Sequence, residues 1–274
     1  MSAHTSIQLI AFDLDGTLLN EQLLFSPRVV ATLARIQKET AIKMVLATGR
    51  MFASALPFAQ ALGFQTPLVA YQGGMTRETA QGYPLTHHLP VPLDAAHALI
   101  DAIEPLQMNL NVYVHDVLYT SASDAISGWY ANLARVRPKR VSDIKHHTTS
   151  PPTKMVVIDT SADAQPRIDA VKAIAAKIPG LSWCESRSGL LEIMHENASK
   201  WSAVQQIADR YDISPEHIMA IGDHENDLSM ITQAGVGVAM GNGPEHVRAM
   251  APYVTGSVHD DGAAQALDRF VFGQ

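Results

Sequence analysis

The feature that most constrains this chain is a rhythm of short apolar runs alternating with helical stretches. Ile7–Asp13 reads as a strand, and Ser26-Pro27 starts a helix with serine as N-cap and proline in the first turn. "AIKMVLATGR" (41–50) is a second strand running into a loop, Phe52–Leu62 a second helix interrupted near Pro57, and "PLVAY" (67–71) a third strand. A β-α-β-α-β order implies a parallel sheet with helices on its faces. The rhythm returns after about Leu191, with a helix over 199–211, a strand over 217–222 and further strand–helix pairs to the end. Between these segments the texture changes. "LNVYVHDVLYT" (110–120) reads as a hairpin turning at His115-Asp116, "KMVVID" as a strand, 164–177 as a helix, and "LSWCES" and "LLEIM" as two more strands. The expected organisation is an α/β core with a Rossmann-like parallel sheet, split by an inserted α+β cap domain. Residues 1–82 and 191–274 form the core, and 83–190 the insertion.

Composition removes several classes of function. The 274 residues are 47% hydrophobic and 17% charged, enough for a sizeable core. A formal charge of −7 gives no footprint for gripping a nucleic-acid backbone. One cysteine, Cys184, excludes an intrachain disulfide framework and a cysteine-rich zinc site, which fits a reducing cytoplasm. The stretch "MSAHTSIQLIAF" lacks the basic region of a signal peptide, and no run reaches the roughly 18 apolar residues of a membrane helix. The expectation is a cytoplasmic protein without nucleic-acid or membrane partners; nothing in the sequence sets its oligomeric state.

The first strand ends in "FDLDGTLLN" (12–20). Strand side chains alternate faces, so Asp13 and Asp15 point the same way, and two like charges side by side demand a cation, a proton or a function. Alone, such a pair is more often a turn than a site. Three other strand-end or helix-start groups accompany it: Thr48-Gly49-Arg50, Lys200 after "HENAS", and "GDHEND" (222–227). Ligands of open α/β sheets bind at such carboxyl ends. Each group has a structural alternative: an ordinary turn at Thr48-Gly49, a solvated lysine at 200, a helix cap at Asp227.

Taken together, "DLDGTLL", "ATGR", "SK" and "GDHENDLSMITQAGVGVAMGNG" resemble, in order, the four motifs of the haloacid dehalogenase superfamily in its Cof-type, subclass IIB branch of cap-bearing phosphatases. The resemblance covers both core segments and only weakly the middle. It implies a hydrolase of phosphoric monoesters that uses Mg²⁺ and an aspartyl-phosphate. Asp13 is then the nucleophile and Asp15 the general acid and base. Asp13, the backbone carbonyl of Asp15 and Asp223 hold the metal. Thr48, Gly49, Lys200 and Asn226 hold the substrate phosphate, with Lys200 also acting on Asp13, and Asp227 orients Lys200 or metal-bound water. Physical chemistry agrees with this set: phosphoryl transfer needs positioning and charge neutralisation above all, and Mg²⁺ prefers oxygen ligands.

The implied substrate is a small phosphorylated metabolite, of the sugar phosphate, flavin mononucleotide or pyridoxal phosphate type. A phosphomutase of the same fold and a non-catalytic phosphoacceptor or metabolite-binding module are the alternatives; Asp15 and the long insertion favour an enzyme. Two departures from the family pattern stand out: Trp201 follows the lysine where glycine is common, placing a ring near the pocket rim, and Gln72-Gly73 replaces Asn-Gly. The pairs His87-His88 and His146-His147 read as surface residues, because neighbours on a strand face opposite ways. His224 is open between pocket and surface, and Arg50 between a phosphate contact and a scaffold ion pair. Tyr113, Tyr119 and Trp183 read as core packing rather than a stacking platform for a leaving group.

Overall fold

The computed structural model describes residues 6–274, without the side chains of residues 186 and 187. The reading of the N-terminal stretch from Met1 therefore lies partly outside the described residues. The chain forms two compact units. The first comprises the described residues up to Gly49, Ala55–Thr86 and Ser199–Gln274; the second comprises Arg50–Ser54 and His87–Ala198. The return to the first unit comes later than position 191, because the strand Leu190–His195 pairs with Leu181–Arg187 and Lys154–Ile158 of the second unit.

The first unit is built on a five-stranded sheet, in the order Tyr253–Val254, Val236–Ala239, Ile218–Gly222, Leu9–Phe12, Lys43–Leu46. Every pairing is parallel, and a parallel bridge from Ala47 to Val69 brings Leu68–Ala70 alongside. Leu9 to Phe12 are wholly buried, as a strand covered on both faces requires. From Leu9–Phe12 the chain steps one way to Lys43–Leu46, and after the insertion it resumes on the other side at Ile218–Gly222. The crevice between Leu9–Phe12 and Ile218–Gly222 is thus a topological switch point, open at the strands' carboxyl ends. The helix Pro27–Glu39 begins as expected, with Ser26 Oγ accepting from the Val29 N–H. Phe52–Ala61 is one helix rather than a broken one: it continues through Pro57, its sixth of ten residues, with the loss of one main-chain hydrogen bond.

Trp201 does not stand at a pocket rim. It is 6% exposed and packs in the core with Leu9, Val45, Val204, Ile207 and Ala220. The spacing 201, 204, 208 makes an apolar stripe on the helix Lys200–Asp209, and the tryptophan begins it.

The second unit has a six-stranded sheet in the order Leu181–Arg187, Leu190–His195, Lys154–Ile158, Asn109–Val114, Val117–Thr120, Lys139–Arg140. The expected hairpin turns at His115 and Asp116, both with left-handed φ (51° and 59°), as a two-residue type I′ turn requires. The helices Leu93–Ile103 and Ala164–Ala175 share a core with one face, through Leu99, Ile103, Ile168 and Val171 against Val112, Val157 and Ile193. Tyr119 and Trp183 pack against this core, while Tyr113 is buried with its hydroxyl 2.9 Å from that of Tyr130. His146 and His147 are exposed and lie in the short helix Ile144–His147; His88 is half-buried with Nε2 2.9 Å from Thr153 Oγ1.

Gly73 ties the turn after Leu68–Ala70 to the start of the Lys200 helix. Its φ is +95°, and a Cβ there would lie 2.0 Å from the Ser199 carbonyl oxygen. Gly82 has a similar φ, +88°, with nothing within 4 Å. Gly82→Ala is expected to cost only the left-handed strain, about 1–2 kcal/mol, whereas Gly73→Ala must also move backbone and is expected to cost at least about 2 kcal/mol more. Urea unfolding of the two variants checks this; equal losses would contradict it.

Candidate active site

Four loops meet at the carboxyl edge of the parallel sheet. The Asp13 N–H still donates to the Ile221 carbonyl (2.9 Å), so the ladder carries the first aspartate to the end of the strand. The chain then turns: the N–H groups of Leu18 and Leu19 both donate to the Leu14 carbonyl, and Gly16, at φ +81°, donates to the Leu19 carbonyl. Glycine is required at 16, because a Cβ would lie 2.3 Å from Asp223 Oδ2. Asp13 is buried and Asp15 exposed.

Lys200 is the first residue of its helix, which Ser199 caps. Its ammonium is completely buried and bonds to Asp13 Oδ1 and, at 2.6 Å, to Asp227 Oδ1. The other oxygen of Asp227 accepts from the main-chain N–H groups of Asp223 and His224, each at 3.0 Å. Asp227 therefore uses both oxygens as scaffold, holding the lysine with one and the loop of Asp223 with the other. His224 joins this arrangement through its backbone.

One oxygen from each of Asp13, Asp223 and Asp227 lies within 4.8 Å of the others. Burial pushes the Asp13 carboxyl well above the usual carboxylate range; Lys200 pulls it down, while Asp227, Asp223 and Asp15 add repulsion. Burial and Asp227 push Asp223 up to about 7, with Lys200 opposing and Asp15 adding to the rise. Burial disfavours the Lys200 charge, yet Asp13 and Asp227 outweigh it and hold the ammonium above the usual lysine range. Three carboxylates thus face one ammonium, and the excess negative charge fits a cation. Because Asp227 is committed to Lys200 and the loop, Asp13 and Asp223 are the side chains left to hold it. An all-oxygen donor set suits a hard ion such as Mg²⁺.

On the other side of Asp13, the strand Lys43–Leu46 leads to Thr48. The Thr48 N–H donates to the Val69 carbonyl, and its own carbonyl accepts from the Gln72 N–H, both at 3.0 Å. Gln72 is buried with a left-handed φ of 57°. A Cβ on Gly49 would lie 2.3 Å from Gln72 Nε2, so residue 49 must be bare for the amide to sit against it. Gln72 Oε1 accepts from Asn226 Nδ2 at 3.0 Å, which links the Thr48 loop to the Asp223 loop.

The first unit therefore gathers Asp13, Asp15, Thr48, Gly49, Lys200, Asp223, Asn226 and Asp227 around one sheet edge. Two further members join them: Gln72, which the sequence marks only as a departure from the family's Asn-Gly, and Asn242, which the sequence reading passed over. Asn242 Nδ2 donates to the Gly16 carbonyl at 2.9 Å. The signal for both lay in their turns, Gln72-Gly73 and Gly241-Asn242-Gly243, each directly after an apolar strand.

Removing the central cation has a clear expected cost. Lys200→Met keeps the bulk but leaves Asp13 and Asp227 buried without their partner. Breaking a buried pair from one side typically costs about 3–5 kcal/mol. Urea unfolding of the metal-free variant is expected to show a loss of that order; a loss below about 1 kcal/mol would mean that the carboxylates do not depend on Lys200.

Comparison with known proteins places the chain in one family. A family model described as haloacid dehalogenase-like hydrolase matches residues 10–267. The 5-amino-6-(5-phospho-D-ribitylamino)uracil phosphatase YitU of Bacillus subtilis is 28% identical over 269 residues, covering 97% of this chain and 98% of its own. The pyridoxal phosphate phosphatase YbhA of Escherichia coli is 28% identical over 280 residues, covering 95% of this chain and 97% of its own. Among solved structures, a haloacid dehalogenase-like hydrolase from Bacteroides thetaiotaomicron superposes with a TM-score of 0.84 at 29% identity, covering 96% of this chain and 99% of that one. The chain belongs to the haloacid dehalogenase-like hydrolases, as its four motifs imply.

Proposed function

We propose that this protein is a Mg²⁺-dependent phosphatase that hydrolyses a small phosphorylated metabolite through an aspartyl-phosphate on Asp13. The observation that carries the reading is the cluster of Asp13, Asp223 and Asp227 around the buried Lys200 at the sheet's switch point. Asp13 ends its strand with one oxygen on Lys200, so its carboxylate is held for attack from a fixed position. It attacks phosphorus, and the bond to the leaving oxygen breaks. Asp15, exposed and on the same face of the chain, gives that oxygen its proton. Water then attacks the phosphorus of the acyl phosphate, Asp15 takes back a proton, and inorganic phosphate leaves with Asp13 restored. Thr48 and Gly49 supply the hydroxyl and N–H that hold phosphoryl oxygens, with Lys200 as the neighbouring positive charge and Asn226 beside them. Asp13, Asp223 and the Asp15 carbonyl would hold Mg²⁺, which would supply charge neutralisation between the two anions.

The substrate class rests on the relatives. Two of them are named for phosphate esters with flat heterocyclic groups, pyridoxal phosphate and a ribitylaminouracil phosphate. In this reading the second unit is the inserted cap domain. Among the described residues, no helix is long and apolar enough to cross a membrane. The chain's single cysteine, Cys184, can form no intrachain disulfide, which suits a reducing, cytoplasmic setting.

The test is a panel of phosphate esters, with free phosphate as readout. Release of phosphate is expected for heterocyclic and sugar esters, with loss of activity on chelation; an isomerised sugar phosphate without free phosphate would replace hydrolysis by mutase chemistry. Two variants then separate the aspartates. With p-nitrophenyl phosphate, Asp15→Asn is expected to lose about 10²–10⁴-fold in turnover and to accumulate hydroxylamine-labile phosphoprotein. Asp13→Asn is expected to form none, and equal labelling of the two would refute Asp13 as nucleophile.

A further inference from the structure

The loop Met240–Gly243 is pressed against Asp223. The Met240 N–H donates to the Gly222 carbonyl, and the Gly241 N–H to the Gly256 carbonyl, both at 2.9 Å. A Cβ on Gly243 would lie 2.4 Å from the Asp223 carbonyl oxygen. Asn242, between these glycines, makes three contacts through one amide. Its Oδ1 accepts from the Val258 N–H at 2.8 Å. Its Nδ2 donates to the Gly16 carbonyl at 2.9 Å and reaches Asp223 Oδ2 at 3.4 Å. The orientation of the amide is unambiguous: the Val258 N–H can only donate, and the Gly16 carbonyl can only accept.

We infer that Asn242 is a positioning residue that sets the divalent-cation selectivity of the site, by holding the Asp223 carboxylate and the Asp13–Gly16 loop in one fixed relation. This rests on the proposed reading of Asp13 and Asp223 as cation ligands. Asn242 itself touches neither cation nor substrate in this account. The two ligand-bearing loops lie some two hundred residues apart in the chain, and each is tethered to the same amide group.

The physical consequence differs between ions. Mg²⁺ demands a nearly ideal octahedron with short bonds, whereas Ca²⁺ accepts six to eight oxygens in flexible geometry. A ligand carboxylate free to turn is therefore a larger handicap for Mg²⁺ than for Ca²⁺. A purely structural role for Asn242 has no such asymmetry.

The experiment measures Mg²⁺ and Ca²⁺ affinity by calorimetry on the metal-free full chain without substrate, for the wild type and for Asn242→Ala. Outer contacts to metal ligands are typically worth about 10–100-fold in affinity. The variant is expected to bind Mg²⁺ at least about 10-fold more weakly and Ca²⁺ within about 3-fold of the wild type. Equal weakening of both ions, or of neither, overturns the role of Asn242 while leaving the site intact. A wild type that binds no Mg²⁺ overturns the site reading itself, and this inference with it. Should the alanine variant fail to fold, Asn242→Ser, which keeps a hydroxyl at the loop but lacks the reach to Gly16, is held to the same criteria.

Discussion

The structure depends on one electrostatic arrangement: a buried ammonium, two buried carboxylates and a third, half-buried one gathered at the carboxyl end of a parallel sheet. Charge taken out of water is expensive unless it is paired and hydrogen-bonded. Here the pairing is supplied from distant parts of the chain. Asp13 ends the central strand, Lys200 begins a helix, and Asp223 and Asp227 flank a tight turn after the neighbouring strand. Each is held by backbone: a ladder bond at Asp13, a helix start at Lys200, two loop N–H groups on Asp227. Preorganised charge of this kind is what phosphoryl transfer demands, since the protein contributes positioning and neutralisation rather than new covalent chemistry. The surplus of carboxylate over ammonium is why the site calls for a cation.

Glycine supports this arrangement at the points of closest approach. Gly16 yields space to the Asp223 carboxylate and Gly49 to the Gln72 amide. Both lie in loops that follow neighbouring parallel strands, so side chains from either side can converge on the crevice between them. The second unit shows a different use of polar groups. On the sheet face away from its helices, Lys154 pairs with Glu192 at 3.1 Å, both nearly buried, beside the hydrogen-bonded hydroxyls of Tyr113 and Tyr130. That face is a polar network within an otherwise apolar unit.

Much of this was legible in the sequence, for stated reasons. Strands of a parallel sheet are buried on both faces and read as unbroken apolar runs, so Leu9–Phe12, Lys43–Leu46 and Ile218–Gly222 stand out, and the residues just past their ends become candidates. Trp201 was readable in principle, because its stripe with Val204 and Ala208 points to the core more strongly than its neighbour Lys200 points to a pocket. Other features were hidden. Lys139–Arg140 and Tyr253–Val254 are two residues long and carry no period. The links made by Gln72 and Asn242 join segments brought together only by the sheet, so their turns mark the residues but not the partners.

The most direct test of the account is a crystal soaked with Mn²⁺, a spectroscopically visible stand-in for Mg²⁺, located by its anomalous signal. The predicted result is one ion in contact with carboxylate oxygens of Asp13 and Asp223, at bond lengths of about 2.0–2.3 Å, with Asp227 still bound to Lys200 and to the N–H groups of Asp223 and His224. An ion that takes Asp227 as a ligand and displaces Lys200, or one bound away from Asp13, would contradict it.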